Sequence, residues 1–232
     1  MTDGYFGEDV AATYDDDSQF QVVDATVDVL ESLAGTGRAL EFASGTGRIA
    51  VPLAARGVPV HGIELSRAMH ARLAAKSAAI PVTIGDMTTS RVDGRFRLVF
   101  LVFNTILNLT TQAAQVACFR NAAAHLEPGG TFLIEVGVPA LRLLPPGQTT
   151  VPFLDTPDVF GFDRYDTATQ AMSSNYVGAG GYRSIPFRYV WPAELDLMAE
   201  LAGLRLRDRW GGWDRSPFTH ESTRHVSVWE KP

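Results

Sequence analysis

The chain has 232 residues, enough for one α/β domain with an elaboration. A compact chain of this length buries roughly 70–75% of the surface its unfolded form exposes, so neither disulfides nor a metal is required to hold a core. With 46% hydrophobic and 20% charged residues it is globular rather than disordered, and its net charge of −6 argues against a general nucleic-acid-binding surface.

Residues 1–20 mix Tyr5, Phe6, Tyr14 and Phe20 with an acidic run, Asp15 to Asp17, that reads as a solvated turn or helix start. Residues 21–34 place Val23, Thr26, Val27, Leu30 and Leu33 at helical spacing, and Gly35 closes that helix. An alternation follows: a strand over Arg38–Ala43, a helix over Arg48–Arg56, a strand over Val58–Ile63 and a helix over Arg67–Ala78. Strands at Val82–Ile84 and Leu98–Phe103, a helix over Gln112–Leu126 and a strand over Thr131–Val138 complete the series. Strands recurring between helical segments predict βαβ units around a parallel, doubly wound sheet. The unbroken apolar run of Leu98–Phe103 suits a strand covered on both faces. A Pro128-Gly129-Gly130 turn separates the last helix of the series from its strand.

After Val138 the texture changes. Five prolines between 139 and 157 break regular structure, while Phe153, Phe160, Phe162, Tyr165, Tyr176, Tyr182, Phe187 and Tyr189 give an aromatic density unusual for a solvated loop. Residues 139–187 therefore read as a cap elaboration within one domain spanning 1–232, with residues 1–35 as an N-terminal lid and helix. A helix at Ala193–Ala202 and strands at Leu204–Arg209 and His225–Glu230 finish the chain. There is no apolar run of 18 residues, and Asp3, Glu8 and Asp9 stand where a signal peptide would be basic, so the expectation is a cytoplasmic protein without a membrane partner.

The segment Leu40-Glu41-Phe42-Ala43-Ser44-Gly45-Thr46-Gly47-Arg48 carries the most chemistry. A strand ends in a glycine turn that opens a helix, at the sheet edge where open α/β sheets bind ligands. Glycine admits a tight turn and a close approach, and a helix N-terminus offers unpaired N–H groups. Gly45-x-Gly47-x-x-Ala50, with Glu64 downstream, also satisfies a dinucleotide fingerprint, which leaves an NAD(P)-dependent oxidoreductase open. A carboxylate four residues before Gly45 has no use for a pyrophosphate, however. Glu41 suits a ligand that carries an ammonium, and Asp86 supplies a further carboxylate at the same edge.

Five segments, LEFASGTGR at 40–48, VHGIELSRAM at 60–69, IGDM at 84–87, FRLVFLVFNT at 96–105 and HLEPGGTFLIE at 125–135, occur in an order and spacing that resembles the class I S-adenosylmethionine-dependent methyltransferases. The resemblance covers residues 5–138 and implies a Rossmann-like methyltransferase sheet with S-adenosylmethionine as cofactor. It places Glu41, Ser44, Gly45, Gly47 and Arg48 around the methionine end, and Glu64 on the ribose hydroxyls. Leu65 and Met69 become apolar walls beside the adenine, and Asp86 with the Met87 backbone reads its edge. Phe103, Asn104 and Asn108 face the methyl group and the acceptor. The Phe-Asp that commonly opens the fourth strand is Phe96-Arg97 here, a change away from the cofactor edge.

Tyr14, in a segment resembling the family's lid, either positions the methyl group or staples the lid to the core. His220, in the loop 210–221, is a candidate base, and Tyr176 and Tyr182 are candidate acceptor contacts because each joins an apolar ring to a polar tip. No His or Cys spacing suits a metal, so none is expected. The sequence thus reads as a methyltransferase acting on nitrogen or oxygen of a small molecule, a specialised metabolite or amino sugar, working as a monomer or homodimer without nucleic acid. An NAD(P)-dependent oxidoreductase and a non-catalytic cofactor-binding subunit are the alternatives.

Overall fold

The computed structural model describes residues 6–16 and 23–232; Tyr5, Asp17, Phe20 and residues 21–22 of the first expected helix lie outside the described residues. A short helix α1 (Glu8–Thr13) and a 3-10 turn (Tyr14–Asp16) precede α2 (Val23–Ala34). Then come β1 (Ala39–Phe42), α3 (Ala50–Ala55), β2 (Val60–Glu64), α4 (Arg67–Lys76), β3 (Val82–Ile84), β4 (Phe96–Leu101), α5 (Gln112–His125) and β5 (Leu126–Gly137). Four strands follow, β6 (Thr150–Asp155), β7 (Val159–Tyr165), β8 (Ala171–Gly178) and β9 (Gly181–Arg188), and α6 (Pro192–Leu201), β10 (Arg205–Trp210) and β11 (Arg224–Glu230) close the chain.

Seven strands form one sheet in the order β10-β11-β5-β4-β1-β2-β3. β3, β2, β1, β4 and β5 run parallel, whereas β11 pairs antiparallel with both β5 and β10. Strand alternation splits the core in two. Leu40, Phe42, Val99, Leu101, Phe132 and Ile134 pack beneath α5 and α6, while Ala39, Leu98, Phe100, Leu133 and Val226 pack beneath α2 and α3. Side chains hold the helix ends. Ser66 caps α4 through Met69 N–H and Thr111 caps α5 through Ala114 N–H, each at 3.2 Å. Lys231, one of two lysines, donates from Nζ to the Ala123 and Leu126 carbonyls at the end of α5.

Most boundaries shift by one or two residues from the sequence expectation, and two of the differences have a clear physical reason. β4 begins at Phe96 and stops at Leu101, because Phe103 and Asn104 both adopt φ of 58° and turn the chain out of the sheet. The Pro-Gly-Gly turn separates nothing: β5 starts at Leu126 and carries it as an irregularity. Gly129, at φ 75°, donates its N–H to Lys231, whose own N–H returns to Gly130, so the chain terminus satisfies the displaced backbone.

The region expected to elaborate the fold is a second, antiparallel sheet in the order β6-β7-β8-β9. Its own core is small: Val151, Tyr165 and Tyr189 are buried, with Leu141, Leu144 and Met172 packed against them. Polar groups fasten its root. Arg188 pairs with Glu194 of α6 at 2.7 Å and donates to Gln115 of α5 at 2.5 Å, while Gln170 and Gln112 also donate to Glu194. No helix among the described residues is long and apolar enough to cross a membrane.

Candidate active site

The C-terminal ends of β1 and β2 meet at the glycine loop. Ala43, Gly45 and Gly47 all have positive φ, and a Cβ on Gly47 would stand 2.7 Å from Leu73 Cγ, so this turn closes against α4 only with glycine there. Glu64, at the end of β2, accepts the N–H of Gly45 at 2.7 Å on one oxygen and that of Ser66 at 2.8 Å on the other. Each carboxylate oxygen has two lone pairs, so Glu64 retains capacity for a further pair of donors.

Below the loop lies an unusual concentration of buried charge. Glu41 is 4% exposed, and among the described residues neither its buried Oε2 nor the buried Ser44 hydroxyl has a hydrogen-bond partner. Burial raises the Glu41 pKa well above the usual carboxylate range; the nearby Arg48 opposes this and the charge of Glu64 adds to it. Arg48 stacks on Phe103, its guanidinium carbon 3.5 Å from the ring centroid, and lies 5.7 Å from that of Tyr14. Burial lowers its pKa, against the fields of Tyr14, Glu41, Asp15 and Glu135. Glu135 of β5 is 7% exposed, accepts the Phe103 N–H at 2.7 Å and is raised by burial. That bond holds the left-handed Phe103-Asn104 turn, and Asn104 Oδ1 secures its other side by accepting the Gly137 N–H at 2.6 Å.

The N-terminal segment reaches this edge. Asp15 is bonded rather than merely solvated: Thr46 of the glycine loop donates to it at 2.7 Å and Lys76 of α4 at 2.6 Å. Partial burial would raise its pKa, but those two hydrogen bonds and the charges of Lys76 and Arg48 hold it below the usual aspartate range. The Ser66 hydroxyl donates to the Phe6 carbonyl at 2.6 Å, and Phe6 meets Tyr14 edge-on.

A cavity of about 820 Å³ opens between this edge and the second sheet. Phe6, Asp9 and Tyr14 line it from the N-terminal segment, and Gly45, Glu64, Met69, Phe103, Asn104 and Asn108 from the parallel sheet. Asp163, Ser174, Tyr176, Arg183, Ile185 and Phe187 line it from the second sheet. Asp86 lies outside this lining, with Oδ1 accepting the N–H and hydroxyl of Thr88 at 2.8 Å each. Leu65 and Met87 are half-buried beside it, and the Met87 carbonyl accepts from Asn121.

Two expected contacts do not reach the cavity. Tyr182 is 60% exposed and donates to Asn175 on the outer face of the second sheet, because its cross-strand partner is Val177 and the inward position belongs to Arg183, opposite Tyr176. His220 is exposed on its loop, its carbonyl held by Arg142, and it is not among the lining residues, so the candidate base is withdrawn. Sequence reasoning missed Glu135, Asp163 and Arg183. A lone glutamate in the apolar strand LIEV was a usable signal for Glu135; nothing local marked Asp163 over its neighbour Arg164.

A methyltransferase-domain family model matches residues 39–130. The solved structure of the CcbJ methyltransferase from Streptomyces caelestis is 33% identical, with 100% of this chain and 99% of that one covered and a TM-score of 0.86. The cypemycin N-terminal methyltransferase of a Streptomyces species is 27% identical over 201 residues, 83% of this chain and 82% of that protein. CalS10, described as an amino pentose methyltransferase from Micromonospora echinaspora, shares the fold at 21% identity, with 97% and 96% coverage and a TM-score of 0.69. The chain belongs to the class I S-adenosylmethionine-dependent methyltransferases. Its cofactor is S-adenosylmethionine, and the nicotinamide reading of the glycine loop falls away. The site fits that cofactor on its own chemistry, since a buried carboxylate oxygen and a buried hydroxyl without partners lie beside a loop that admits close approach.

Proposed function

We propose that this enzyme methylates the nitrogen of a small amine-bearing molecule, of the specialised-metabolite or amino-sugar type, seated in the cavity beneath the second sheet. One observation carries the choice of nitrogen: the titratable groups lining the cavity are Asp9, Tyr14, Glu64, Asp163, Tyr176 and Arg183, with no histidine, lysine or cysteine among the described residues. Carboxylates are weak bases for a hydroxyl acceptor but match an ammonium, which has only to shed a proton. The names of the cypemycin N-terminal and amino pentose methyltransferases agree with an amine acceptor.

In this reading Glu41, Ser44 and Arg48 hold the charged methionine end, with Gly45 and Gly47 giving backbone access. Glu64 takes the ribose hydroxyls, Leu65 and Met69 flank the adenine, and Asp86 and Met87 read its edge. When bound, S-adenosylmethionine supplies a methyl group on a sulfonium that leaves as a neutral thioether. The chain's task is then alignment and exclusion of water, which falls to Tyr14, Phe103, Asn104 and Asn108 on one side and the second sheet, as a cap over residues 139–187, on the other. Paired amine and hydroxyl analogues of one amino hexose, offered with S-adenosylmethionine and followed by release of S-adenosylhomocysteine, test the reading. Turnover of the amine alone is expected; turnover of the hydroxyl analogue alone overturns it.

A further inference from the structure

The second sheet turns an alternating face to the cavity. Val159 and Asp163 of β7, Met172, Ser174 and Tyr176 of β8, and Arg183, Ile185 and Phe187 of β9 stand on it, so Asp163 is the carboxylate of a wall that mixes apolar and polar side chains and carries one guanidinium. The register seats Asp163 opposite Ser174, whose hydroxyl donates to it at 2.6 Å, and the Tyr165 hydroxyl bonds it from the same strand. Both groups are neutral. Burial outweighs their hydrogen bonds and raises the Asp163 carboxyl above the usual aspartate range. Tyr165 is itself pushed up to about 12, chiefly by burial and then by the charge of Asp163, so it stays a donor throughout the neutral range. A carboxylate held by neutral hydroxyls, facing a cavity with apolar and polar walls and large enough for a drug-sized molecule, suits one cationic group on an otherwise apolar or hydroxylated ligand.

We propose that Asp163, oriented by Ser174, is the ammonium receptor of the acceptor site: it seats the acceptor's protonated nitrogen and takes the proton that nitrogen must lose. This rests on the amine reading above and narrows it to acceptors that are cationic in solution. In the step, the N–H bond breaks, an O–H bond forms on Asp163, and the electron pair left on nitrogen bonds the methyl carbon as that carbon's bond to the cofactor sulfur breaks and its pair stays on sulfur. The proton passes to water as product leaves. Nothing in the family match assigns this residue, since the matched segment ends at residue 130. The other charged and titratable groups facing the same space are Asp9 and Tyr14 from the N-terminal segment, Glu64 from β2, Tyr176 from β8 and Arg183 from β9. Any pH profile must be read against them.

The test uses enzyme loaded with S-adenosylhomocysteine and two probes of equal shape, cyclohexylmethylamine and cyclohexylmethanol, titrated by calorimetry at pH 7.5 in wild type, Asp163→Asn and Ser174→Ala. Wild type should bind the amine at least tenfold tighter than the alcohol. Asp163→Asn should bring that ratio close to one with unchanged affinity for S-adenosylhomocysteine, because Asn keeps the acceptor for Ser174 and loses only the charge. Ser174→Ala, which keeps the carboxylate but frees its orientation, should narrow the ratio, and it carries the test if the Asn variant fails to bind S-adenosylhomocysteine. A wild type without preference, or a preference that survives in whichever variant is folded, overturns the inference. With a turned-over amine, Asp163→Asn should also raise the acceptor KM and displace the ascending limb of the pH profile. An enzyme that methylates amines with KM and profile untouched by Asp163→Asn keeps the N-methylation reading and loses this one. An enzyme that methylates only hydroxyl acceptors loses the N-methylation reading, while the probe ratio still reports on Asp163.

Discussion

The two sheets of this molecule are stabilised in different ways. The seven-stranded sheet is sandwiched between helices and buries large apolar side chains on both faces, among them Phe42, Phe100, Phe132 and Trp229. The four-stranded sheet has only a small apolar cluster of its own, around Val151, Tyr165 and Tyr189, and is fastened at its root by Arg188, Glu194, Gln115 and Gln170. The first is held by apolar area, which is indifferent to small changes in chemistry. The second is held by a few oriented polar contacts, which leaves its inner face free to carry Asp163, Ser174, Tyr176 and Arg183. A scaffold that fixes the cofactor edge and a lightly anchored sheet that walls the cavity proposed for the acceptor are separable solutions to separate problems.

The contrast is sharpest where each region is truncated. Phe132→Ala removes a fully buried ring wedged against Phe42, Phe119 and Trp229 and should cost about 3–5 kcal/mol, lowering the urea midpoint of the whole protein in one transition. Arg188→Ala leaves the half-buried Glu194 and the buried Gln115 without their cation and should cost about 3 kcal/mol locally. Limited proteolysis is expected to cut residues 139–187 in that variant while S-adenosylhomocysteine still binds. Loss of cofactor binding together with the second sheet would show that the two regions are one cooperative unit.

A smaller effect comes from the cofactor edge. Because the folded-state pKa of Glu41 is raised, the stability that its neutral form contributes is fully present below the ordinary glutamate value and is lost as pH rises through the raised one. Glu41→Gln should remove that loss, so the cofactor-free variant gains on wild type in denaturant titrations as pH rises above the ordinary glutamate range. The same variant should bind S-adenosylhomocysteine about tenfold more weakly, roughly 1.4 kcal/mol, since a neutral amide replaces a carboxylate opposite an ammonium. Equal pH dependence in the two proteins would place the buried charge elsewhere. The smallest effect separates the two faces of the second sheet. Tyr176→Phe should change the acceptor KM by about two- to fivefold, one hydrogen bond's net worth, whereas Tyr182→Phe should leave every steady-state constant unchanged. A Tyr182→Phe effect on acceptor KM would mean that the outer face takes part in recognition.

Much of this was legible before any coordinates. The βαβ alternation, the glycine loop after β1, and carboxylates placed at strand ends gave the fold class and the positions of Glu41 and Glu64, because strand ends and glycine turns are written in consecutive residues. The two left-handed residues after β4 were not legible: neither Phe103 nor Asn104 is a glycine, and their φ of 58° is tolerated because Glu135 and Gly137, more than thirty residues away, hold the turn. The acidic run was likewise read as solvated, since nothing in Asp15 announces Thr46 and Lys76 as its partners.

The sequence by itself determined the helix-strand order, which follows from local periodicity, and it pointed to the enzyme class and cofactor through the resemblance of five short segments to a known family. Which groups of the second sheet line the cavity was decided only by tertiary structure. In a strand the side chains alternate faces, so a shift of one residue in register exchanges the inner and outer sets. Asp163 rather than Arg164 faces the cavity, and Tyr176 rather than Tyr182, because the hairpin pairs Asp163 with Ser174 and Tyr176 with Arg183. Aromatic and charged residues stand on both faces of this sheet, so composition could not choose between them; the packing of the sheet over the cofactor edge did.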